Sequence, residues 1–276
     1  MNILIIDGNE VTASNRYIEV GMLTQYEVYE KVLRDLTDNN LNITTIHPAC
    51  TESFLPTGIN LDDFQGVVWT GSLLNIYDLG PSITRQIELA NELFKKKNKI
   101  FGSCWGLQVL ATAAGGTVRK NPRGLEAVIA KNITINDEGL KHNLYKNKPK
   151  IFDSFCWHYD EVENLPSETK ILSFNEKSSI QSIAFTRDKS EIWAVQYHPE
   201  FNPKWISGLM KQRKSLLLQE GVYSNHEEFE KFFSFLSDVE KLNVKKDKLL
   251  ISETITNSKV HTLELSNWLH SFMNDI

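Results

Sequence analysis

The sequence has few cysteines and no pattern that would join them. It contains three, Cys50, Cys104 and Cys156, with no Cys-x-x-Cys pair. This odd, sparse set excludes a disulfide framework and a structural zinc site, so we expect no metal and place the chain in the reducing cytoplasm. An excess of basic charge is also absent. The net charge of −5 and the pI near 5.8 predict no nucleic-acid partner.

Long hydrophobic runs and nucleotide-binding loops are missing as well. No stretch of 18 apolar residues occurs, so no membrane span is expected. The first seven residues have no basic start and no cleavage pattern, which predicts a mature strand rather than a signal peptide. Neither a Gly-x-x-x-x-Gly-Lys-Ser/Thr loop nor a Ser-Gly-Gly-x-Asp-Ser loop is present, so we expect no cofactor.

Apolar material for a sizeable core is present. The chain of 276 residues is 41% hydrophobic and 24% charged, values typical of a soluble globular protein. At roughly 150 residues per domain the length fits one large domain, or one enzyme-sized domain with a tail.

Strands and helices alternate along the first part of the sequence. The segment Asn9–Thr24 has no clear period and is predicted to be a long loop, which in a compact domain is often functional. The alternation favours an α/β fold with a largely parallel sheet. We predict strands at 2–6, 43–46, 66–69 and 99–101, and helices at 26–36, 82–94 and 107–114.

The middle and the end of the chain differ from this alternation. Five short β-rich runs in the middle predict an antiparallel extension of the sheet, and three amphipathic segments follow them. The β-rich runs are 127–135, 150–155, 171–174, 180–186 and 192–197, and the predicted helices are 205–219, 226–242 and 260–272.

Glycines are concentrated around one cysteine. Five of the 14 lie between Gly102 and Gly124, and the segment Gly102-Ser103-Cys104-Trp105-Gly106 joins a strand to a helix. Gly-x-Cys-x-Gly in that context is a nucleophile elbow with cysteine in place of serine. The elbow places Cys104 at a helix N-terminus, where the dipole favours the thiolate, and directs the Trp105 N–H toward a developing oxyanion.

A cysteine nucleophile needs a base, and His198 is the best candidate among seven histidines. It follows the apolar run at 192–197, so we expect it at a strand end, on the edge where α/β sheets carry their sites. Glu200 lies two residues later, where a carboxylate could orient the imidazole. The rival pair of Cys156 and His158 lacks an elbow and an oxyanion turn.

Two segments together resemble the class I glutamine amidotransferases, a family with a Cys-His-Glu triad. They are residues 102–108 and 196–200, and the cysteine and the histidine lie about 94 residues apart. Residues 67–77 resemble the family's oxyanion strand and loop, and 157–166 resemble a segment of the amidotransferase domain of GMP synthetases. The resemblance implies a flavodoxin-like, mixed, mostly parallel central sheet flanked by helices. It covers residues 1–204 as the catalytic domain and leaves 205–276 as a C-terminal helical extension packed on it.

The resemblance also implies a chemistry. Cys104 would attack a γ-glutamyl amide with His198 as acid and base, and the backbone N–H groups of Ser72 and Trp105 would hold the oxyanion. Ser72 and Leu73 replace a glycine and a proline of the family pattern, and Trp157 replaces a small serine. The family match further implies substrate contacts for five residues: Gly71, Gln108, Arg123, His158 and Asp160.

Several functions remain open on the sequence. The chain could cleave a γ-glutamyl amide by itself, as a hydrolase or a transferase, which the Asn9–Thr24 segment slightly favours because it could cover the site. It could instead be a glutaminase subunit that passes ammonia to a separate synthetase, since the 76 residues after Glu200 are too few for an ATP-using domain. A binding module with an inactive site is the third possibility. A homo-oligomer is compatible with all three.

Overall fold

The computed structural model describes residues 1–38, 40–52, 54–238 and 251–273. The eleven strands described are β1 (Asn2–Ile6), β2 (Asn42–Ile46), β3 (Gly66–Trp69), β4 (Lys99–Ser103), β5 (Thr117–Lys120), β6 (Glu126–Ile135), β7 (Ile151–His158), β8 (Asp160–Asn164), β9 (Lys170–Phe174), β10 (Ser182–Arg187) and β11 (Ser190–Val195). The helices described are α1 (Val11–Ile18), α2 (Gln25–Leu36), α3 (Pro81–Phe94), α4 (Trp105–Ala113), α5 (Asp137–Lys141), α6 (Pro203–Gln212), α7 (Lys214–Gln219), α8 (His226–Asp238), α9 (Glu253–Thr256), α10 (Ser258–His261) and α11 (Leu263–Met273).

Nine strands form one mixed sheet in the order β2-β1-β3-β4-β11-β10-β9-β6-β7. The first five run parallel, and the others pair antiparallel to their neighbours. The inner parallel strands are nearly continuous apolar runs, because helices cover both of their faces. The predicted α/β class and the antiparallel extension are confirmed. A separate two-stranded ribbon pairs β5 with β8.

Two apolar cores lie on the two faces of this sheet. Helices α3 and α4 pack on one face. On the other face, α2 lies beside α11, whose Trp268 and Phe272 reach the central strands. The fit is close at Gly66, where an added Cβ would come within 2.8 Å of Phe272 and 2.9 Å of Trp268. The last described helix therefore belongs to the core of the sheet, and a division of the chain at residue 204 stays a prediction.

The prediction of a long loop over Asn9–Thr24 was wrong, because α1 occupies its centre. The helix has eight residues and buries only Ala13 and Tyr17, one turn apart, so its period is too short to detect. Its N-cap residue Glu10 makes no capping hydrogen bond with its side chain, which removes the usual start signal.

Smaller differences concern the ends of elements. The predicted helix over 205–219 is two helices that meet at Arg213, and the one over 260–272 divides between α10 and α11. The part of the 226–242 prediction beyond residue 238 lies outside the described residues. Strands β5 and β8 and the short helices α5 and α9 were not predicted. Among the described residues no helix is both long and apolar enough to cross a membrane.

Candidate active site

Three neighbouring parallel strands carry the candidate residues beyond their carboxyl ends. Ser72 follows β3, Cys104 follows β4, and His198 follows β11. The register pairs Trp69 with Gly102 and Val195 with Ser103, so the three strands end at the same level. Cys104 is also joined to β11, since its N–H donates to the Val195 carbonyl at 2.8 Å. The topology thus brings together residues that lie up to 126 positions apart in the sequence.

The turn at Cys104 is a strained elbow. Cys104 has φ 52° and ψ −102°, a conformation that side-chain-bearing residues rarely adopt. The glycines on either side are required by close packing. A Cβ on Gly102 would lie 2.7 Å from the carbonyl carbon of Gly106, and one on Gly106 would lie 2.7 Å from the Trp69 carbonyl oxygen. Only the absence of both side chains lets β3, β4 and α4 approach this closely.

His198 is held from three sides. Its Nδ1 lies 2.6 Å from Glu200 Oε1, its backbone N–H donates to the Phe155 carbonyl at 2.7 Å, and its ring stacks on Phe201 with centroids 3.9 Å apart. An ionised carboxylate can only accept, so Nδ1 carries the proton and Nε2 keeps its lone pair. The same Glu200 oxygen accepts a hydrogen bond from Ser103 Oγ at 3.1 Å. The imidazole is therefore fixed in the tautomer that a general base requires.

The surroundings of Cys104 favour the thiol over the thiolate. Burial raises its pKa to about 12, the Glu200 charge adds to the rise, and the Trp105 backbone N–H opposes it. The helix N-terminus acts in the expected direction, but burial outweighs it. The predicted effect of the helix N-terminus is thus present but smaller than the effect of burial, so the sulfur becomes a nucleophile only when a base takes its proton.

The loop after β3 is braced by the end of β1. Asn9 donates from its side-chain amide to the Gly71 carbonyl at 3.1 Å and accepts from the Leu73 N–H at 3.3 Å. Thr70 Oγ1 also donates to the Gly71 carbonyl, at 2.8 Å. Ser72 has a negative φ, so its side chain causes no strain. Its N–H has no acceptor within the described part of the chain, which leaves a fixed donor beside Cys104.

Cys104 opens into a cavity of about 510 Å³, a size that suits a small-molecule ligand. A second space, of about 20 Å³, lies on the His198 side of the sulfur and has room for about one water molecule. The walls of the larger cavity come from segments spread along the chain between α1 and the end of α7. They are Arg16, Ser72, Leu73, Leu74, Asn75, Tyr77, Cys104, Gln108, Lys120, Trp157, His158, Tyr159, Asp160, Arg213, Leu216 and Glu220.

The predicted substrate residues are placed differently from one another. Gln108 and Asp160 line the cavity, and the Gln108 amide lies 3.5 Å from the Asp160 carbonyl. His158 also lines it, but both of its ring nitrogens are engaged, with Glu126 at 2.9 Å and the Asp160 carbonyl at 3.0 Å. Arg123 does not line the cavity. It is exposed, with its guanidinium 3.5 Å from the Lys177 carbonyl.

The sequence missed most of the polar wall. Tyr77 donates to Asp160 Oδ1 at 3.0 Å, and Tyr159 donates to Glu220 at 3.3 Å. Burial is the main cause of the raised pKa of Asp160. Two arginines, Arg16 on α1 and Arg213 between α6 and α7, complete the wall. In the sequence Arg16 falls in a predicted loop and Arg213 in a predicted helix, and each looks like an ordinary surface charge, so no signal pointed to them.

Cys156, the rival nucleophile, lies in the sheet core and has no exposed area. Burial raises the pKa of its thiol well above the usual value, with the Glu126 charge as the next cause. Its neighbour on the same strand face, His158, is engaged by Glu126 at 2.9 Å. This geometry offers neither a nucleophile nor a free base.

Gly71 offers a direct test of how tightly the site is built. An added Cβ would come within 2.7 Å of His198 Cε1 and 2.6 Å of Gln25 Oε1, and the His198 ring cannot retreat because Phe201 stacks on it. A Gly71→Ala variant is therefore expected to lose roughly 100-fold in kcat/KM through misplacement of the imidazole. The control is Gly80→Ala, since no atom lies within 4 Å of an added Cβ there. Equal activity of the two variants would contradict this picture.

Comparisons with known proteins identify the family of this chain. The family model for glutamine amidotransferase class-I matches residues 24–211. A γ-glutamyl-L-1-hydroxyisopropylamide hydrolase from a Pseudomonas species is 28% identical over 98% of this chain and 92% of its own length. The γ-glutamyl peptidase 5 of Arabidopsis thaliana is 28% identical over 62% of the chain and 67% of its own length.

Two further comparisons concern a GMP synthase and the fold. A glutamine-hydrolysing GMP synthase subunit from Methanococcus vannielii is 27% identical over 50% of this chain and 65% of its own length. Among solved structures, a glutamine amidotransferase from Thermotoga maritima has a TM-score of 0.69 at 18% identity, covering 98% of this chain and 97% of its own.

Proposed function

Since the chain belongs to the class I glutamine amidotransferase family, we propose that it cleaves a γ-glutamyl amide with Cys104 as the nucleophile. One observation supports the proposal: the strained elbow holds Cys104 on a cavity wall that it shares with Ser72 on one side and with His198 on the other, and a carboxylate 2.6 Å away fixes the histidine. This is the arrangement that acyl transfer by a cysteine requires.

In the first half of the reaction, His198 Nε2 takes the thiol proton and the sulfur attacks the amide carbon. The carbonyl oxygen becomes an oxyanion, and the N–H groups of Ser72 and Trp105 stabilise it. The intermediate then collapses, the C–N bond breaks, and the imidazolium gives its proton to the departing amine. A γ-glutamyl thioester on Cys104 and a free amine, or ammonia, result.

In the second half a water molecule replaces the amine. His198 takes a proton from the water as it attacks the thioester, and the new oxyanion uses the same two donors. Collapse breaks the C–S bond, and the imidazolium returns the proton to the sulfur. Glutamate leaves, and the site is restored without a metal or a cofactor.

The end of the cavity beyond Gln108 suits the amino-acid head of a γ-glutamyl group. Asp160 offers a carboxylate for the α-ammonium group, with Tyr77 holding one of its oxygens. Lys120 offers a charge for the α-carboxylate at the same end. We assign Gln108 and Asp160 to substrate binding on these grounds. Gly71 does not line the cavity, and its carbonyl is engaged by Asn9 and Thr70, so we assign it a part in shaping the loop before Ser72. His158 contacts the backbone carbonyl of Asp160 and so helps to position that residue. Arg123 has no role in this proposal because it lies outside the cavity.

We favour hydrolysis by the chain alone over ammonia delivery to a partner. The hydrolase relative matches 98% of the chain, whereas the GMP synthase subunit matches 50%. Residues beyond 204, among them Arg213 and Leu216, contribute to the cavity wall, so the C-terminal region takes part in the site. A glutaminase subunit with a synthetase partner is the second candidate, supported by the GMP synthase relative. The nucleophile must stay reduced, so we place the reaction in the cytoplasm.

The purified chain is expected to release glutamate from a γ-glutamyl alkylamide in the absence of any other protein. The measurement compares steady-state glutamate release from L-glutamine, from a γ-glutamyl alkylamide and from the matching α-glutamyl alkylamide. The α-amide serves as the control because its scissile bond lies at the wrong carboxyl group. Turnover of glutamine alone, and only after addition of a synthetase, would favour the subunit function instead.

A further inference from the structure

We propose that Arg213, assisted by Arg16, binds a carboxylate on the leaving amine, so that the preferred substrates are γ-glutamyl amino acids. The inference rests on the proposed function and deepens it, because it names the substrate class. It starts from two charged side chains that the mechanism above does not use.

The two arginines lie on the cavity wall without partners. Arg213 is half-buried and Arg16 is exposed, and neither guanidinium makes a hydrogen bond or an ion pair with any residue that the structure describes. Their elements are tied together, since the Gln212 side chain donates to the Arg16 carbonyl at 2.9 Å. The two carboxylates of the same cavity have other partners: Asp160 accepts from Tyr77, and Glu220 accepts from Tyr159. Neither of these carboxylates therefore forms an ion pair with Arg16 or Arg213.

The position of Arg213 connects it to the departing amine. His198 must protonate the amide nitrogen, so the leaving group lies on the His198 side of the sulfur. The space on that side is about 20 Å³, too small for a substituent on the nitrogen. A substituent must therefore turn into the larger cavity through the residues that line both spaces. These are Ser72, Leu73, Cys104, Trp157 and Arg213.

Among the described residues that line both spaces, Arg213 is the one with a charged side chain, and its companions include Leu73 and Trp157. The electrostatics agree with this position. Burial raises the pKa of Tyr17, in the small space, and of Tyr159, in the large one, and the Arg213 charge opposes the rise in both. The Arg213 guanidinium is thus close enough to affect tyrosines in both spaces, which places it between them, on the path of the leaving group. Its planar fork matches a carboxylate in two hydrogen bonds.

The break between α6 and α7 explains why this arginine differs from its neighbours. Arg213 ends α6 with φ −109° and ψ 20°, outside helical geometry, and α7 starts at the next residue. Lys211, two residues earlier, is exposed on α6 and does not line the cavity. The break between the helices thus places Arg213 at the cavity, whereas Lys211 remains exposed to solvent.

The test uses two substrates that differ in one group. In γ-glutamyl-L-alanine the leaving amine carries a carboxylate, and in γ-glutamyl-isopropylamide a methyl group replaces it. The purified chain is expected to prefer the alanine compound in kcat/KM by about tenfold to 100-fold, the range for a hydrogen-bonded charge. Arg213→Met should abolish that preference, because it should lower kcat/KM for the alanine compound by about tenfold to 100-fold more than kcat/KM for the isopropylamide. Arg213→Lys should retain part of it, and Lys211→Met should retain all of it.

Each possible failure has its own signature. If the wild-type protein cleaves neither amide, the proposed function itself fails. If it cleaves the isopropylamide and shows no preference for the carboxylate, only the present inference fails. If Arg213→Met lowers kcat/KM equally for both substrates, the arginine serves the γ-glutamyl head or the fold, and the inference is overturned.

Discussion

A Cys104→Ser variant is expected to lose γ-glutamyl amide hydrolysis by roughly 10⁴-fold or more in kcat, in line with removal of a nucleophile in other hydrolases. Serine keeps the size and the elbow geometry, so the fold should be preserved. Its hydroxyl is a far weaker nucleophile than a thiolate. The measurement is steady-state release of amine from a γ-glutamyl alkylamide, together with unfolding by urea to show unchanged stability.

Cys50→Ser is the matched control for this variant. Cys50 is half-buried, and its thiol contacts the Asn9 carbonyl at 3.5 Å, outside the cavity lining. Intact-mass analysis after treatment with a glutamine-like electrophile should show one adduct on the wild-type chain and on Cys50→Ser, and none on Cys104→Ser. Hydrolysis that survives in Cys104→Ser at more than a few per cent would refute the covalent mechanism.

The residues at the centre of this site could be predicted because short sequence patterns around Cys104 and His198 identify them. An elbow needs glycine on both sides of the nucleophile, and a histidine that acts at a strand end follows an apolar run. Both signals fit within a few residues, as at Gly102–Gly106. The structure adds the register of β3, β4 and β11, which places the two signals side by side. Register depends on packing across the whole sheet, so the sequence did not reveal it.

The wall of the cavity could not be predicted for the opposite reason. Arg16 and Arg213 lie almost 200 residues apart in the sequence, one in a predicted loop and the other in a predicted helix, and each looks like an isolated surface charge. The error over Asn9–Thr24 has the same origin, since α1 is stabilised by packing of Tyr17 against Trp205 more than by its own pattern. Arg123 shows the opposite kind of error. The family resemblance implies a substrate contact for it, but in the structure it is exposed outside the cavity.

A Lys148→Met variant is expected to lose about 3 to 5 kcal/mol of stability, which is a large share of the total for a domain of this size. Lys148 and Glu264 have no exposed side-chain area and form an ion pair at 2.8 Å. The ammonium also donates to the Val260 carbonyl at 2.8 Å, and the second Glu264 oxygen accepts from Tyr197 at 2.8 Å. Removal of the lysine leaves Glu264 as a buried charge without its counterion.

The location of this pair gives the variant a second consequence. Tyr197 directly precedes His198, and Glu264 lies on α11, so the pair joins the C-terminal helix to the strand end that carries the imidazole. Loss of the counterion should weaken the contact between α11 and the strand end at Tyr197 under conditions in which the sheet is still folded. We therefore expect kcat for a γ-glutamyl alkylamide to fall in Lys148→Met at temperatures below its Tm, with KM changed less than kcat.

The double variant Lys148→Met/Glu264→Gln shows whether Lys148→Met loses stability because a charge is left buried or because the packing has changed. Glutamine keeps an acceptor for the Tyr197 hydroxyl and carries no charge, so the double variant should regain much of the stability that the single variant loses. Lys31→Met is the surface control. Its pair with Asp35, at 2.6 Å, is more than half exposed at both ends, and its loss should cost less than about 1 kcal/mol. Urea unfolding of all three variants provides the comparison. A Lys148→Met loss as small as that of Lys31→Met would mean that water reaches Glu264 and that α11 does not hold the His198 strand through this charge.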